Sequence, residues 1–364
     1  MLHLEEIFAD NLQQIADKYH LSLKKIAIAV SGGADSLALA WLSTKYCHKN
    51  NIEITALTVN HHLRPEATAE AQMVAELMQK WGIKHNILDW FPPQISGSSE
   101  EKARLARYSL LENWCIANNT PYLLTAHHQT DQAETFLIRL QRGSGVDGLA
   151  SMRCFSPFGK INLIRPLLNI CPEDLRTLLK QNHISWAEDA SNQCDDFLRN
   201  RIRKFLPLLE EKTGISTTRL AQTAQALDDV KQYFEEQVQD FISAYVRYFE
   251  QSAASVSPQA FNNLHPQIKI RVLSYLLKKI GIQTYAPEYE ELQHLCQRLQ
   301  NPDFKGCTLG HCEIIPFQKR IWIIRENPEA PKITSQDWQN FTACNPQYAK
   351  SVIPYALKCL LLAK

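Results

Sequence analysis

The residues best suited to chemistry in this chain form one short run, Ser31-Gly32-Gly33-Ala34-Asp35-Ser36. Gly32 and Gly33 allow the backbone to turn tightly and to approach a ligand closely. The run directly precedes a helical stretch, and the N–H groups at the start of a helix attract an anion. The hydroxyls of Ser31 and Ser36 add two hydrogen-bond donors. Together these groups predict a site for phosphate groups.

Asp35 places a carboxylate inside this predicted anion site. Its presence makes chemical sense if it holds Mg²⁺ that bridges the phosphates. The run lacks the lysine of the G-x-x-x-x-G-K-[ST] pattern, so it is not a Walker-type phosphate loop. The alternative is an ordinary strand-to-helix turn made of small residues. The complete S-G-G-x-D-S pattern between a strand and a helix favours the phosphate site over that turn.

The elements around this run alternate between apolar strands and helical periodicity. Strands are predicted at residues 26–30, 52–60, 85–90, 121–128 and 161–168. Helices are predicted between them, one from Pro65 to Trp81, one beginning at Ser98 and one around residues 135–142. This order predicts an open, doubly wound parallel α/β sheet, in which ligands bind at the carboxyl ends of the strands.

The pattern changes after residue 213. Residues 217–250 are helical in character without a clear breaker, and a second amphipathic helix at 264–281 ends at Gly281. The chain becomes strand-like after Pro302. We therefore predict three domains, with an α/β domain at 1–212, a helical domain at 213–300 and a small β-containing domain at 301–364.

Composition limits the class of protein without choosing the partner. The 39 Lys and Arg residues nearly balance the 38 Asp and Glu residues, which neither favours nor excludes nucleic acid, since phosphate binding needs only a local basic face. Ten cysteines form no C-x-x-C pair and are typical of reduced thiols in a cytoplasmic protein. No run approaches the roughly 20 apolar residues of a membrane span. The sequence therefore predicts a cytoplasmic protein without a membrane partner.

The run at residues 31–36 resembles the PP-loop of the N-type ATP pyrophosphatases, which cleave ATP between its α and β phosphates. Further segments resemble those of the tRNA(Ile)-lysidine synthetases within that superfamily. They are Val59–Pro65, Ala103–Tyr108, Ala126–Leu149, Arg165–Leu168, Trp186–Asn192 and Arg199–Arg203. In order and spacing the resemblance covers residues 26 to about 210. The chain departs from it at Asn60 and His62, which replace Asp and Gly, and at Thr130, which replaces the first of two aspartates.

The resemblance implies a ligase that joins free L-lysine to carbon-2 of the wobble cytidine of tRNA(Ile) with a CAU anticodon. ATP is the implied co-substrate and Mg²⁺ the implied metal; lysidine, AMP and pyrophosphate are the products. The implied domains are a catalytic PP-loop domain at 1–212, a tRNA-binding domain at 213–300 and a tRNA-recognition domain, truncated in this chain, at 301–364. A homodimer is left open.

The resemblance also implies roles for individual residues. ATP binds to Ser31, Gly32, Gly33, Ala34, Asp35, Ser36 and His127, or to His128 in place of His127. The catalytic residues are Asp35, Asp131 and Arg107, and the two aspartates hold Mg²⁺. The tRNA or its cytidine binds to Arg199, Arg201 and Arg203, and lysine binds to Glu134. A structural role remains the alternative for His127, Arg107 and Glu134.

Two other functions share parts of this pattern. A PP-loop tRNA thiolation enzyme has the same loop, but such enzymes commonly use paired cysteines, which this chain lacks. A regulatory module that only binds nucleotide is disfavoured by Asp35 and Asp131, because simple binding rarely places two acids at the phosphates.

Overall fold

A computed structural model describes residues 2–62, 66–91, 100–187, 198–249, 252–326 and Gln339. The chain divides into two compact units, Met1–Lys231 and Gln232–Lys364, and the division falls within one long helix. The first unit contains α1 (Leu2–Lys18), β1 (Lys25–Ala29), α2 (Ala34–Asn50), β2 (Glu53–Asn60), α3 (Glu66–Lys80), β3 (Lys84–Asp89), α4 (Glu100–Ala117), β4 (Tyr122–Leu124), α5 (Gln129–Gln141), α6 (Val146–Leu149), β5 (Phe155–Phe158), β6 (Ile161–Ile164), α7 (Pro172–Gln181), α8 (Leu198–Thr213) and the first part of α9 (Thr217–Tyr245). The second unit continues with β7 (Val246–Phe249), β8 (Ala253–Val256), α10 (Pro258–Asn262), α11 (Pro266–Ile280), α12 (Tyr289–Leu299), β9 (Cys307–Leu309), β10 (Cys312–Phe317) and β11 (Arg320–Arg325).

The first unit is built on a six-stranded sheet with the strand order β3-β2-β1-β4-β6-β5. Neighbours from β3 to β6 are parallel, whereas β5 is antiparallel to β6. Alternate residues of β1 point to opposite faces: Ile26 and Ile28 pack with α1, α2 and α7, while Ala27 packs with α4. Helices therefore cover both faces, and the predicted doubly wound parallel sheet is confirmed.

The strand order changes direction at β1. From β1 the chain proceeds to β2 and β3 on one side, and the later strands β4 and β6 lie on the other side. Ligands of such sheets bind in the crevice outside the carboxyl ends of the strands at this point. Residues 31–36 leave β1 there, and residues 125–128 leave β4 beside them.

Several elements of the first unit differ from the predicted ones. β4 and β6 are shorter than predicted, and β6 ends just before Arg165 and Pro166 because proline cannot donate to a strand ladder. β5 and α7 were not predicted. The sequence of β5, FSPF, has a proline and no clear alternation, which an edge strand tolerates. The predicted helix starts Pro65 and Ser98 lie outside the described residues.

The second unit has a five-stranded antiparallel sheet with the order β7-β8-β11-β10-β9. Its core joins side chains of α11, such as Leu273 and Leu276, to side chains of the last two strands, such as Ile314 and Ile323. Residues on both sides of position 300 thus share one core. The functional boundaries at 212/213 and 300/301 stay predictions.

The prediction of a helix through residue 250 was wrong at its carboxyl end. α9 stops at Tyr245, and Val246–Phe249 forms β7, which pairs antiparallel with β8. The β7 sequence VRYF is rich in residues that favour strands, and pairing with β8 decides the outcome. Among the described residues, no helix is both long and apolar enough to cross a membrane.

Candidate active site

The loop from Ser31 to Ser36 is closed by its own hydrogen bonds. Gly32 has a φ of +88°, a conformation that favours glycine, and Gly33 is the N-cap residue directly before α2. The Ser31 N–H donates to the Ser36 Oγ at 3.1 Å, and the Ser36 hydroxyl donates to the Gly33 carbonyl at 2.9 Å. Ser36 is buried and braces the loop, whereas Ser31 is exposed. These hydrogen bonds hold the turn of the loop.

Asp35 lies in the first turn of α2 and faces the residues that follow β4. Its Oδ2 is 3.4 Å from the Nε2 of His128. Its Oδ1 is buried and has no hydrogen-bond partner among the described residues. A buried carboxylate oxygen without a donor is suited to a cation. No group of three His, Cys, Asp or Glu side chains in the described chain could hold a metal alone, but Mg²⁺ usually takes only one or two carboxylates besides phosphates and water.

His128 connects Asp35 to Asp131. The backbone N–H of His128 donates to the Asp131 Oδ2 at 3.0 Å, and the ring Nε2 of His128 is 3.6 Å from the same oxygen. Burial alone would lower the pKa of His128, but the hydrogen bond to Asp35 and the charges of Asp131 and Asp35 raise it above its ordinary value. The imidazole between the two carboxylates therefore favours its protonated form.

Asp131 and Glu134 of α5 pair with two arginines of α8. The Arg199 Nη2 is 3.0 Å from the Asp131 Oδ1, and the Arg199 Nε donates to the Glu134 Oε2 at 2.5 Å. The Arg203 Nε donates to the Glu134 Oε1 at 2.6 Å. Spacings of three residues on α5 and four on α8 place each pair on one helix face. Burial would raise the pKa of Asp131, but His128 and Arg199 lower it below its ordinary value.

The structure therefore brings some of the predicted site residues into one cluster and places others outside it. Glu134 is fully buried, and both its oxygens are engaged by Arg199 and Arg203. Arg201 is exposed on α8 outside this cluster. Arg107 of α4 lies over the ring of Tyr108, with its guanidinium carbon 5.3 Å from the ring centroid.

His127 is half-buried beside Thr125, whose hydroxyl is 3.0 Å from the His127 Nδ1. Burial lowers the pKa of His127 far below its ordinary value, and the positive charges of Arg165 and Arg199 act in the same direction. His127 is therefore a neutral imidazole, in contrast to its neighbour His128. The sequence alone did not distinguish these two adjacent histidines. Only the structure shows that their surroundings shift the two pKa values in opposite directions.

Arg165 is a residue at this edge that the sequence analysis gave no functional role. It follows β6 directly, and its Nη1 donates to the Arg153 carbonyl at 2.8 Å and to the Ser156 Oγ at 2.9 Å. Its Nε is buried without a hydrogen-bond partner among the described residues. The available signal was its position immediately after a strand on the ligand-binding edge.

Part of the resemblance, residues 63–65 and 188–192, lies outside the described residues.

The described cysteines form no disulfide with one another. Cys47 and Cys115 are fully buried in the first unit, and Cys296 and Cys312 are buried in the second. Burial raises the pKa of Cys47, Cys115 and Cys312 to about 12 and that of Cys296 to about 11. Such thiols are poor nucleophiles, which fits the absence of a C-x-x-C pair in the sequence.

Comparison with known proteins shows the family of the chain. A family model described as the PP-loop domain matches residues 4–209. The chain is 35% identical over 360 residues to the tRNA(Ile)-lysidine synthase of Wolbachia pipientis wMel, covering 94% of this chain and 81% of the relative. It is 36% identical over 284 residues to that of Orientia tsutsugamushi (strain Boryong), covering 74% of this chain and 63% of the relative.

Among solved structures, the U34-tRNA thiolase NcsA from Methanococcus maripaludis aligns with a TM-score of 0.50 at 16% identity, covering 61% of this chain and 79% of that chain. A likeness at that identity shows the fold alone. The family match over residues 4–209 and the identity to the bacterial relatives decide the assignment. The chain belongs to the tRNA(Ile)-lysidine synthase family of PP-loop proteins.

Proposed function

We propose that the protein joins free L-lysine to carbon-2 of the wobble cytidine in the CAU anticodon of tRNA(Ile), consuming ATP. One observation carries the proposal. The loop at residues 31–36, which includes Asp35, lies beside His128 and Asp131 at the point where the strand order of the sheet changes direction. ATP use follows from the PP-loop domain. The tRNA and lysine substrates correspond to the name of the family.

The reaction has two steps. The carbon-2 oxygen of the cytidine attacks the α-phosphorus of ATP, and pyrophosphate leaves. The ε-amine of lysine then attacks carbon-2, and AMP leaves with the electrons of the broken carbon–oxygen bond while the amine loses a proton. Negative charge grows on phosphate oxygens in the first step, so catalysis is largely electrostatic. The backbone N–H groups at the start of α2 are suited to stabilise that charge.

Asp35 and Asp131 are the carboxylates that would hold Mg²⁺, and both lie within 3.6 Å of the same His128 nitrogen. When bound, Mg²⁺ would offset charge on the phosphate oxygens. The buried Oδ1 of Asp35 supports this assignment. His127 is assigned to the nucleotide as a neutral hydrogen-bonding group, and Arg107 to the charge of the adenylate.

Glu134 is assigned to the lysine ammonium, and Arg199, Arg201 and Arg203 are assigned to the tRNA and its cytidine. Because Arg199 and Arg203 occupy both Glu134 oxygens, lysine binding there requires exchange with one guanidinium. An arginine released in this exchange becomes free to contact a phosphate. The ion-pair cluster thus links lysine binding to tRNA binding within this proposal.

The remaining assignments concern the whole protein. We assign the residues after 213 to contacts with the tRNA backbone and place the protein in the cytoplasm. Because phosphate contacts release counterions, tRNA binding should weaken steeply with added KCl. A flat salt response of the dissociation constant would contradict these contacts.

The test is a reaction of the purified protein with ATP, Mg²⁺, radiolabelled lysine and bulk tRNA. Label should enter acid-insoluble RNA in a form that resists mild alkaline deacylation, and AMP should accumulate in equal amount. The Asp35→Asn variant should lose turnover. Release of ADP and orthophosphate, or no stable label, would overturn the proposal; transfer of sulfur to the tRNA would favour the thiolation alternative.

A further inference from the structure

Two pairs of rings lie where β2 and β3 end. The register of these parallel strands pairs Asn60 with Asp89, and the Trp90 N–H donates to the Asn60 carbonyl at 2.9 Å. The next residues therefore lie side by side. His61 and Trp90 meet edge to face at 5.6 Å between ring centroids. His62 and Phe91 stack at 4.5 Å with an angle of only 8° between their planes.

The His62–Phe91 pair lies at the surface, and hydrogen bonds position His62. The His62 Nε2 is 2.7 Å from the Asp89 Oδ1, and the His62 N–H donates to the Asn60 Oδ1 at 3.2 Å. His62 has a φ of +50°, and it stands where the resembling family has glycine. Phe91 remains 71% exposed even though His62 covers one of its faces. An exposed aromatic ring is suited to stacking on a flat partner.

This ring pair lies on the same edge of the sheet as the phosphate loop. β2 is next to β1 and β3 is next to β2, so two strand spacings of about 4.8 Å place the end of β3 roughly 10 Å from the start of the loop. A ligand that reacts at the loop and continues along this edge would reach Phe91. Phe91 is 71% exposed, whereas small cofactors are usually enclosed over most of their area.

We propose that His62 and Phe91 form a stacking platform for an unpaired base of the anticodon loop, next to the cytidine that is modified. The inference rests on the proposed function. A base that reacts at carbon-2 must leave its stack, which removes a stacking partner from its neighbour. Aromatic faces replace such partners in proteins that bind single-stranded nucleic acid. The platform would hold the neighbour while the cytidine turns toward the loop.

The experiment uses three substitutions of one side chain in the full-length protein. Phe91→Ala and Phe91→Leu remove the ring, whereas Phe91→Tyr keeps it. The RNA is an anticodon stem–loop with 2-aminopurine in turn at each position beside the target cytidine. Its fluorescence reports stacking of that base on binding. Because Phe91 is largely exposed, all three variants should keep the melting temperature of the unaltered protein.

We expect Phe91→Ala to weaken stem–loop binding roughly 5- to 150-fold, the usual range for one lost base stack. Phe91→Leu should resemble Phe91→Ala, and Phe91→Tyr should resemble the unaltered protein. The 2-aminopurine response at one position should disappear with the ring. Ile116→Ala, which shortens a side chain that is 40% exposed at the end of α4 leading into β4, is the control and should change neither measurement.

Other outcomes would overturn the platform. Equal binding by Phe91→Ala and Phe91→Tyr would show that the ring has no part in binding RNA. A higher KM for ATP with an unchanged KM for tRNA would show that the ring holds adenine. The stem–loop measurement needs no turnover, so the platform can fail while lysine incorporation succeeds, and incorporation can fail while stacking is observed.

Discussion

The carboxylate of Glu134 is the most enclosed charge at the candidate site. It has no exposed surface, and the two guanidiniums that it holds are only about one-third exposed, at 33% and 38%. Removing one member of a buried ion pair leaves an uncompensated charge, which costs more than the pair contributes. Glu134 therefore supports the junction of α5 and α8 in addition to any role with lysine.

Replacing Glu134 by Gln should reduce the free energy of unfolding by about 2–4 kcal/mol, toward the low end for a buried pair because the arginines are partly exposed. Urea unfolding without substrates would measure this change. Glu211→Gln is the control, because its pair with Lys212 is about two-thirds exposed on both sides. The control should change by less than about 0.5 kcal/mol. A small effect of Glu134→Gln would contradict the geometry.

The charge of His128 should make stability depend on pH. Its pKa in the folded protein is raised above the ordinary value of 6.5, so the fold favours the protonated ring. The stabilisation is complete below about pH 6.5 and is lost as the pH rises through the folded pKa. Asp131 acts in the opposite sense, because its pKa in the folded protein is lowered. Its contribution to stability is complete above about pH 3.8 and is lost only as the pH falls further.

We therefore expect the stability difference between the unaltered protein and His128→Gln to be largest near pH 6 and to shrink toward pH 9. Urea titrations at several pH values would measure it. His48→Gln, at an exposed position near the end of α2, provides the control. A difference that grows with pH would mean that His128 is held neutral.

The sequence predicted most residues of this candidate site, and their roles stay predictions, but it did not predict their partners. Asp131 and Glu134 stand in one motif and Arg199 and Arg203 in another, and 65 positions separate Glu134 from Arg199. Nothing local in either motif requires that they meet, because their contact depends on the packing of α5 against α8 through Ala133, Phe136 and Leu206. Likewise, the adjacent His127 and His128 differ only in which side chains surround them.

At the scale of single elements, the turn between β1 and α2 depends on Gly32. A side chain there would be strained at a φ of +88°, and its Cβ would lie 3.3 Å from the Val74 Cγ2. At Gly33 φ is −75°, and a Cβ would meet only the Ser31 Oγ at 3.7 Å. The two glycines therefore differ in what they contribute to the free protein.

Gly32→Ala should lower the free energy of unfolding by about 1–2 kcal/mol, the usual penalty for a side chain in the left-handed region. Gly33→Ala should be nearly neutral in the same measurement without nucleotide. Thermal unfolding monitored by circular dichroism would separate them. Equal losses for the two variants would show that the left-handed turn is not the source of the requirement.

Elements with a clear repeat were predictable, and elements defined by distant pairing were not. The apolar runs of β1 and β2 are recognisable because most of their residues are buried on both faces. β3 has only exposed and half-buried residues, and its apolar Ile87 and Leu88 gave the weaker signal. β7 continues the helical pattern of α9 in sequence, and only its pairing with β8 makes it a strand. β5 is similar, since its four residues become a strand through β6.

At the scale of the whole molecule, each unit has its own hydrophobic core. The cores of the first unit involve α1 to α5, α7, α8 and the parallel sheet, and the core of the second involves α11, α12 and the antiparallel sheet. A ligand stabilises only the unit whose folded form it binds. Binding of ATP and damage to the second core should therefore act on different unfolding transitions.

Leu276→Ala should lower the transition of the second unit by about 2–5 kcal/mol, because Leu276 is fully buried in that core. ATP at 100 times its dissociation constant should raise the transition of the first unit by about 2.7 kcal/mol. Differential scanning calorimetry would follow both. A single transition that responds equally to the mutation and to ATP would show that the units unfold together.

The buried thiols can report how often each unit opens. At pH 8, a thiol with a pKa near 12 presents its reactive thiolate in roughly one molecule in 10,000, and the surrounding side chains block the reagent as well. Iodoacetamide should therefore modify Cys47 and Cys115 only when the first unit opens transiently, and Cys312 only when the second unit opens. Peptide masses taken over hours of alkylation would then rank the opening rates of the two halves within a single sample.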